Sequence, residues 1–255
     1  MQKVTAIITC FNEEQHIEAV LKSVQWCDEI IVVDSFSTDS TLEKAALFNT
    51  RILHHEYENP AKQKNWVIPQ AANEWILLLD ADERVTDELR NEIEKVLAQD
   101  EIHFNAFWIY RRNHFMGKEI KFSGWQRDKV IRLFYRDVCR YKDVEVHEEI
   151  ETTGKVGKLK NKLLHYTYTD LEQYLVKWNR YSSMSAVDYS KKTTKPNAFH
   201  FVFKPAFRFF KHYIIDLGFL DGYPGFIISK LAAEGVFFRY MKLYELMRKK
   251  KKINF

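Results

Sequence analysis

The sequence predicts an α/β fold in which a mostly parallel sheet is covered by helices on both faces. Its first hundred residues alternate short runs of aliphatic residues with segments of helical periodicity. The strand-like runs are apolar throughout, which is typical of parallel strands buried on both faces. Polar, carboxylate-bearing segments follow three of these runs. Because ligands of such sheets bind beyond the carboxyl ends of the strands, these segments are expected to form a site.

Four strands alternate with four helices in the predicted order. The predicted strands cover residues 4–9, 30–34, 51–54 and 75–80. Asn12 is expected to cap the first helix, and Ser40 with Glu43 has the spacing of a capping box at the start of the second. Pro69 is expected to bend or break the third helix, and Thr86 to cap the fourth.

The fourth strand ends in two carboxylates, Asp80 and Asp82. Residues two apart on an extended segment point the same way, so these acids can converge on one site. Hard oxygen ligands of this kind suit Mg²⁺ or Mn²⁺. The alternative is that Asp80 only ends the strand and Asp82 lies in a turn. Neither a P-loop nor a dinucleotide-binding glycine motif is present, so a metal would have to handle the phosphates of a bound nucleotide.

The net charge of +4 is distributed unevenly along the chain. Residues 1–100 hold 9 Lys and Arg against 19 Asp and Glu, whereas residues 191–255 hold 14 against 4. The acidic front half excludes a general nucleic-acid backbone binder, and the basic C-terminal segment would be drawn to an anionic surface. We therefore expect two domains, at 1–190 and 191–255.

The three cysteines are odd in number and lack C-x-x-C spacing, so the sequence suggests neither a disulfide framework nor a zinc knuckle. The expected compartment is the reducing cytosol. The N-terminus reads as a strand and not as a signal peptide. No uninterrupted apolar run reaches the roughly 18 residues that a membrane span needs.

Aromatic and basic residues interleave from Phe199 onward, and a run of lysines closes the chain at 249–252. Stacking on single-stranded nucleic acid is one use of such a pattern. Packing of a helical subdomain with a solvated charged end is another. We favour a helix at a membrane interface, because aromatic rings and cations together suit the headgroup layer of anionic lipid. A nucleic-acid partner is not expected.

Four ordered blocks within residues 1 to about 170 resemble family 2 glycosyltransferases of the GT-A fold. The blocks are Thr5–Glu13, Ile31–Asp34 with Ser37–Asp39, Lys64–Asn65, and Leu79–Glu83. The resemblance implies a GT-A domain, a nucleotide-sugar donor and a divalent metal, either Mg²⁺ or Mn²⁺. The residues expected to bind the donor are Thr9, Phe11, Asn12, Glu14, Asp34, Lys64, Asp80 and Arg132. The expected metal ligands are Asp80, Asp82 and His165.

Three further blocks, at 123–134, 146–148 and 218–226, resemble the branch that includes bacterial lipopolysaccharide inner-core β-glucosyltransferases. This implies an inverting transfer of a hexose, glucose from UDP-glucose, to a lipid-linked saccharide at the inner face of the cytoplasmic membrane. Two alternatives remain. One is another membrane-bound acceptor, such as a polyprenyl phosphate or a capsule intermediate, and the other is a non-catalytic membrane-binding protein with a degenerate domain. The intact acids Asp34, Asp80, Asp82 and Glu148 argue against degeneracy. A nucleotidyltransferase would need a glycine-rich first loop, which is absent.

The resemblance implies that Glu148 is the catalytic base. The alternative is a surface acid paired with Arg140 or Lys142. On a regular strand His147 and Glu148 would face opposite sides, so both could serve one site only where the strand ends. His147 is expected at the acceptor sugar and His165 in the metal shell, and a hydrogen-bonded core position is the alternative for each.

Trp125 and Arg127 are expected to contact the acceptor, as a stacking wall for a sugar and as a phosphate ligand. A core position is the alternative for Trp125. Lys64 either steadies the donor or is a solvated helix charge. Arg132 alternates outward from a strand-like run, so it is expected to point either at the diphosphate or at water.

Overall fold

The computed structural model describes residues 1–142, 149–168, 171–191, 193 and 195–253. The chain divides into two compact units. The first comprises Met1–Arg112 and Asp128–Tyr166, and the second comprises Asn113–Arg127 and Thr167–Phe255.

The secondary structure alternates strands and helices in the N-terminal half and is mainly helical after residue 170. The strands are β1 (Val4–Cys10), β2 (Glu29–Asp34), β3 (Arg51–His54), β4 (Trp75–Asp80), β5 (Glu83–Arg84), β6 (Ala106–Phe115), β7 (Lys118–Glu119), β8 (Lys129–Tyr135), β9 (Cys139–Tyr141), β10 (Ile150–Thr152), β11 (Val156–Lys158) and β12 (Leu163–Tyr168). The α-helices are α1 (Ile17–Ser23), α2 (Thr41–Ala45), α3 (Pro60–Val67), α4 (Asp87–Leu97), α5 (Leu171–Ser190), α6 (Lys204–Phe210) and α7 (Tyr223–Ile253).

The main sheet has the strand order β3-β2-β1-β4-β8-β6-β12-β5. Strands β1 to β4 run parallel, which confirms the sequence prediction for this part of the fold. Strand β8 lies antiparallel to both β4 and β6, so the complete sheet is mixed. Strand β12 pairs antiparallel with the short β5 directly after β4.

Both faces of the parallel strands are covered. Side chains on one face, such as Ile8 and Leu77, pack with α1 and α4. Side chains on the other face, such as Ile7 and Leu78, pack with α3. Because neighbouring residues of one strand enter different cores, the strands are apolar at every position, as their sequence indicates.

The helix starts differ from the sequence prediction at two places. Asn12 adopts a left-handed conformation, with φ of 53°, and His16 occupies the N-cap position of α1. The Asn12 amide oxygen instead accepts a hydrogen bond from the Thr38 backbone at 2.8 Å. The Ser40 side chain makes no capping bond, because Asp39 accepts from the Thr41 backbone at 3.0 Å at the start of α2. The prediction for Asn12 was therefore wrong, whereas Ser40 occupies the predicted N-cap position of α2 without making the predicted side-chain bond.

The other two helix predictions are confirmed. Thr86 caps α4 by accepting a hydrogen bond from the Leu89 backbone at 3.2 Å. Helix α3 passes into a 3₁₀ turn at Ile68–Gln70, which contains Pro69. Asn59 caps the start of α3, accepting from the Lys62 backbone at 2.8 Å.

The second unit is built on the long helix α7. Ala186 of α5 packs with Val236, Tyr240 and Leu243 of α7. This packing places α5 in the second unit, together with residues 113–127 from earlier in the chain, and the domain division predicted at 190/191 stays a prediction. None of the helices in the described part of the chain is long and apolar enough to cross a membrane.

Candidate active site

The carboxyl ends of β1, β2 and β4 lie side by side, as the sequence predicts for three converging loops. Cys10 is in register with Asp34, and Thr9 is in register with Asp80. The Thr9 hydroxyl donates to the Asp80 carboxylate at 3.2 Å. This edge therefore brings acids from the ends of two strands beside the first loop.

Asp34 is fully buried at the end of β2. Its carboxylate accepts hydrogen bonds from the Ser37 backbone at 3.0 Å and from the Ser37 hydroxyl at 2.5 Å. The His54 Nδ1 lies 3.5 Å from the same carboxylate. These partners fix Asp34 beneath the loop that follows β2.

The loops after β1 and β2 are bonded to each other. Glu14 accepts from the Ser40 backbone at 3.1 Å, and its own backbone N–H donates to Asp39 at 3.1 Å. Phe11 and Phe36 are each 55% exposed beside these bonds. Phe36 has a φ of 62°, a left-handed conformation that is strained for an aromatic residue. The two loops thus present aromatic rings and polar groups at one sheet edge.

Asp80 is held by two buried cations. The Lys64 Nζ lies 3.0 Å from its Oδ1, and the Arg132 guanidinium donates to its Oδ2. Lys64 and Arg132 are only 2% and 3% exposed. Neither side chain points into water, so the solvated alternatives for both residues were wrong.

Glu83 is a second acid on the same guanidinium, and it is fully buried. The Arg132 Nε lies 2.8 Å from one Glu83 oxygen, and its Nη2 donates to the other at 2.9 Å. Arg111 also approaches Glu83, at 3.4 Å, and pairs with Asp128 at 2.8 Å. Sequence reasoning assigned no role to Glu83, Arg111 or Asp128. The available signal was an acid directly after Asp80 and Asp82.

The charges of this network fix the ionisation of its members. Partial burial alone would raise the pKa of Asp80, but the positive charges of Arg132 and Lys64 outweigh it and hold this pKa well below its ordinary value. Burial would lower the pKa of Arg132, and Asp80 and Glu83 instead hold it well above its ordinary value. Asp80 is therefore a carboxylate, and Arg132 a cation, throughout the neutral range.

Asp82 and His165 form a separate pair beside this network. The Asp82 Oδ2 lies 3.7 Å from the His165 Nε2, and both side chains are largely buried. Strand β12 delivers His165 opposite Glu83, and the Tyr166 backbone donates to the Asp82 carbonyl at 2.9 Å. The sequence prediction placed these two residues together, and the structure does so.

The Asp82 carboxylate suits Mn²⁺ or Mg²⁺, whose remaining positions are commonly filled by water and phosphate oxygens, and the His165 imidazole is a ligand more typical of a transition metal such as Mn²⁺. Within the described ranges, no group of three or more His, Cys, Asp or Glu side chains has metal-binding geometry. Both oxygens of Asp80 face cations. The arrangement therefore fits Asp82 and His165 as ligands better than it fits Asp80.

Two of the four remaining predicted residues belong to the described part of the chain. His147 and Glu148 fall outside the described residues. Trp125 and Arg127 belong to the second unit, where Trp125 packs edge-on against Phe115 with 6.1 Å between ring centroids. The Arg127 side chain is 72% exposed and lies 3.4 Å from Asp216. The packing alternative for Trp125 therefore has a structural basis.

A profile described as Glycosyl transferase family 2 matches residues 5–150. The chain belongs to this family. The match spans the parallel strands and both acids of the Asp80–Asp82 segment, and it ends before His165. The predicted α/β fold of the GT-A type and the predicted enzyme class, a glycosyltransferase, are both confirmed.

Curated relatives of this glycosyltransferase match it over almost its whole length. The lipopolysaccharide core biosynthesis glycosyltransferase LpsC of Rhizobium meliloti is 30% identical, with 94% of this chain and 92% of the relative covered. An uncharacterized glycosyltransferase of Rickettsia felis is 29% identical, with 99% and 93% covered.

A similar fold is found in a solved structure, residues 1–349 of S. aureus TarS in complex with UDP-GlcNAc. The TM-score is 0.51 at 15% identity, and the alignment covers 96% of this chain and 89% of that chain. This likeness extends the fold assignment beyond the family profile into the C-terminal part of the chain.

Proposed function

We propose that this glycosyltransferase transfers a hexose, glucose from UDP-glucose, to a lipid-linked saccharide of the lipopolysaccharide core, with inversion and with a divalent metal. The observation that carries the donor chemistry is the Asp82–His165 pair beside the Asp80 network at the carboxyl edge of the sheet. The choice of acceptor is supported by similarity to LpsC over nearly the whole chain. The cytoplasmic face of the membrane is where such an acceptor would be reached.

In this proposal the loops after β1 and β2 bind the nucleoside. Thr9, Phe11, Asn12, Glu14 and Asp34 supply hydrogen-bonding groups and an aromatic face there. The fixed orientation of Asp34, bonded by Ser37, supports this role, because a positioned carboxylate can accept hydrogen bonds without reorganisation.

The diphosphate would lie next to Asp82 and His165. A bound divalent metal would neutralise the charge that develops on the departing diphosphate. Lys64 and Arg132 would act beneath it by keeping Asp80 ionised and fixed. Either cation can also exchange part of its contact with Asp80 for a phosphate oxygen.

The transfer itself is a single displacement. The acceptor hydroxyl oxygen bonds to the anomeric carbon as the bond from that carbon to the diphosphate oxygen breaks, and the diphosphate leaves with the electron pair. Glu148 is proposed as the base that takes the hydroxyl proton. His147, Trp125 and Arg127 are proposed contacts of the acceptor.

The donor half of the proposal is tested by thermal shift with UDP, GDP and ADP sugars, with Mn²⁺ and with chelator, since a bound ligand raises stability according to its affinity. We expect UDP-glucose to give the largest shift, and only with metal.

Asp82→Asn should weaken metal-dependent UDP-glucose binding by about tenfold or more. The matched control Asp100→Asn, at an exposed position, should bind as the wild type does. Undiminished binding by Asp82→Asn would remove the metal role.

The acceptor half is tested by transfer of labelled glucose. Truncated lipopolysaccharide core should be labelled, and polyprenyl phosphate should not. NMR of the product should show a β-linkage. Labelling of polyprenyl phosphate alone would replace the proposed acceptor with the lipid-phosphate alternative.

A further inference from the structure

The second unit carries an exposed apolar helix face. It consists of Phe199, Val202, Phe203, Phe207, Phe210 and Ile214, each of which is 44% to 64% exposed. Their spacing of three or four residues places them on one side of the continuous helical segment from Phe199 to Ile215. We call these six residues the apolar face.

Two lysines of the same segment contact residues within the second unit. Lys204 donates to the Tyr240 hydroxyl of α7 at 2.7 Å, and Lys211 lies 3.4 Å from Asp216. A surface helix of a water-soluble domain normally points its apolar stripe at the core and its charges at the solvent. This segment packs Phe201 against the core formed by α5 and α7 and still exposes six apolar side chains, which indicates an apolar partner outside the unit.

The apolar surface continues through the turn that follows. Leu217, Leu220 and Tyr223 are exposed, and Phe219 and Phe226 combine exposed area with ring contacts to Tyr213 of the same helical segment. These contacts join the turn and the start of α7 to the apolar face. The exposed apolar surface thus spans three consecutive elements.

The charge of this region is one-sided. Residues 189–215 hold six Lys and Arg and no Asp or Glu. The next two acids, Asp216 and Asp221, are buried at 1% and 4% exposure and bond within the unit. The helical segment and the turn after it therefore hold no exposed acid, and Lys191 and Lys195, which precede the segment, are exposed.

We propose that the apolar face inserts into the headgroup layer of an anionic phospholipid bilayer. Aromatic rings at the headgroup level with neighbouring cations on lipid phosphates are the arrangement that interfacial helices use. A second copy of this chain would bring the same positive charge against itself, so charge complementarity favours lipid. The inference deepens the proposed function, since it names the surface that would carry the enzyme to a lipid-linked acceptor.

The test uses the full chain and sedimentation with vesicles. Wild-type protein should bind phosphatidylcholine vesicles containing phosphatidylglycerol, and bind phosphatidylcholine alone more weakly. The double variant Phe203→Ser, Phe207→Ser should lower the partition coefficient by about tenfold or more, because two exposed rings lose their burial in lipid. The matched control Leu47→Ser removes a 77% exposed apolar residue of the first unit and should bind as the wild type does.

A second measurement reads insertion directly. The emission of Phe207→Trp should shift to the blue on adding anionic vesicles and be quenched by brominated lipid. Equal vesicle binding by the double variant, or binding with no emission shift, would overturn the proposal. A lipid-free dimer that the double variant abolishes would assign the face to a second copy instead.

UDP-glucose binding distinguishes this proposal from the proposed function. UDP-glucose binding should be unchanged in the double variant and in Leu47→Ser, because the substituted residues are remote in sequence from the Asp80–Asp82 segment. Lost vesicle binding with intact donor binding concerns only the apolar face. Intact vesicle binding without any nucleotide-sugar binding would contradict only the proposed function.

Discussion

Arg132 determines the charge balance at the carboxyl edge of the sheet. Its guanidinium is shared between Asp80 and the fully buried Glu83. The sequence predicted Arg132 and Lys64 as site residues, with exposure of their side chains to solvent as the alternative. Their burial depends on the position of β8 between β4 and β6 and on the packing of α3 against the sheet. The local sequence pattern reveals neither of these long-range contacts.

We expect Arg132→Met to lower the free energy of unfolding by about 3 kcal/mol or more, because it leaves Glu83 as a buried charge without its main partner. Urea unfolding followed by circular dichroism measures this. Lys22→Met removes an exposed pair with Glu18 and should cost less than about 0.5 kcal/mol. Similar values for the two variants would show that Arg132 does not neutralise Glu83.

His212 is a partly buried histidine in the second unit that favours its neutral form. Burial lowers the pKa of His212, and the nearby charges of Arg208 and Lys211 lower it further. The hydrogen bond that its Nδ1 donates to the Ser123 carbonyl at 2.9 Å and the charge of Asp216 act in the opposite direction but do not cancel the shift. The Arg208 guanidinium faces its Nε2 at 3.4 Å, which suits an unprotonated acceptor.

This pKa shift predicts a loss of stability in mild acid. The folded pKa of His212 lies below the unfolded value of about 6.5, so the unfolded chain binds more protons between the two and the free energy of unfolding falls as the pH drops through this window. The His212 contribution is fully present above pH 6.5. His212→Gln should flatten this part of the stability–pH curve. His103→Gln, at an exposed position in the first unit, should leave the slope of the stability–pH curve as it is in the wild type. If His212→Gln also kept the wild-type slope, the assignment of this slope to His212 would be contradicted.

Among the elements, strands were predicted more accurately than helix starts. The four predicted strands match β1 to β4 because their apolar runs are long enough to identify and end at polar loops. Asn12 does not cap α1, and Ser40 occupies the N-cap of α2 without a side-chain bond, because tertiary contacts compete for these groups. Asn12 bonds across to the Ser37–Thr38 loop, and Asp39 and Glu14 already bond the backbone at the start of α2.

Asp221 is the residue that holds the loop containing Trp125 to the start of α7. Its carboxylate accepts from the backbone of Lys121 at 2.9 Å, from the backbone of Phe122 at 3.0 Å and from the Ser123 hydroxyl at 2.8 Å. In the sequence, Asp221 lies within the 218–226 block of resemblance and had no assigned role. No local pattern pairs it with a segment about a hundred residues earlier.

We expect Asp221→Ala to lower the free energy of unfolding by about 2 to 4 kcal/mol, since it leaves buried donors without an acceptor. Thermal unfolding measures this, and hydrogen exchange at Lys121 and Phe122 should rise. Glu234→Ala, which removes a surface pair with Lys230 on α7, is the control and should change stability little. Unchanged exchange in Asp221→Ala would show that the loop is held by other contacts.

At the scale of the whole molecule, the charge asymmetry and the family resemblance predicted a sheet domain followed by a basic helical part. In the structure α5 belongs to the same compact unit as α7, because apolar contacts join the two helices. The apolar face was predicted only as an aromatic and basic composition. Which residues face outward depends on how the helical segment packs on α7.

Strand β12 adds itself to β5, and this pairing joins two parts of the chain that are synthesised far apart. Asp82 is synthesised early, whereas its partner His165 follows only after the seven strands β5 to β11 that the structure describes between them. Closing such a long loop is slow relative to local pairing. We therefore expect the Asp82–His165 pair, proposed above as metal ligands, to form late in folding, after the loops that follow β1 and β2.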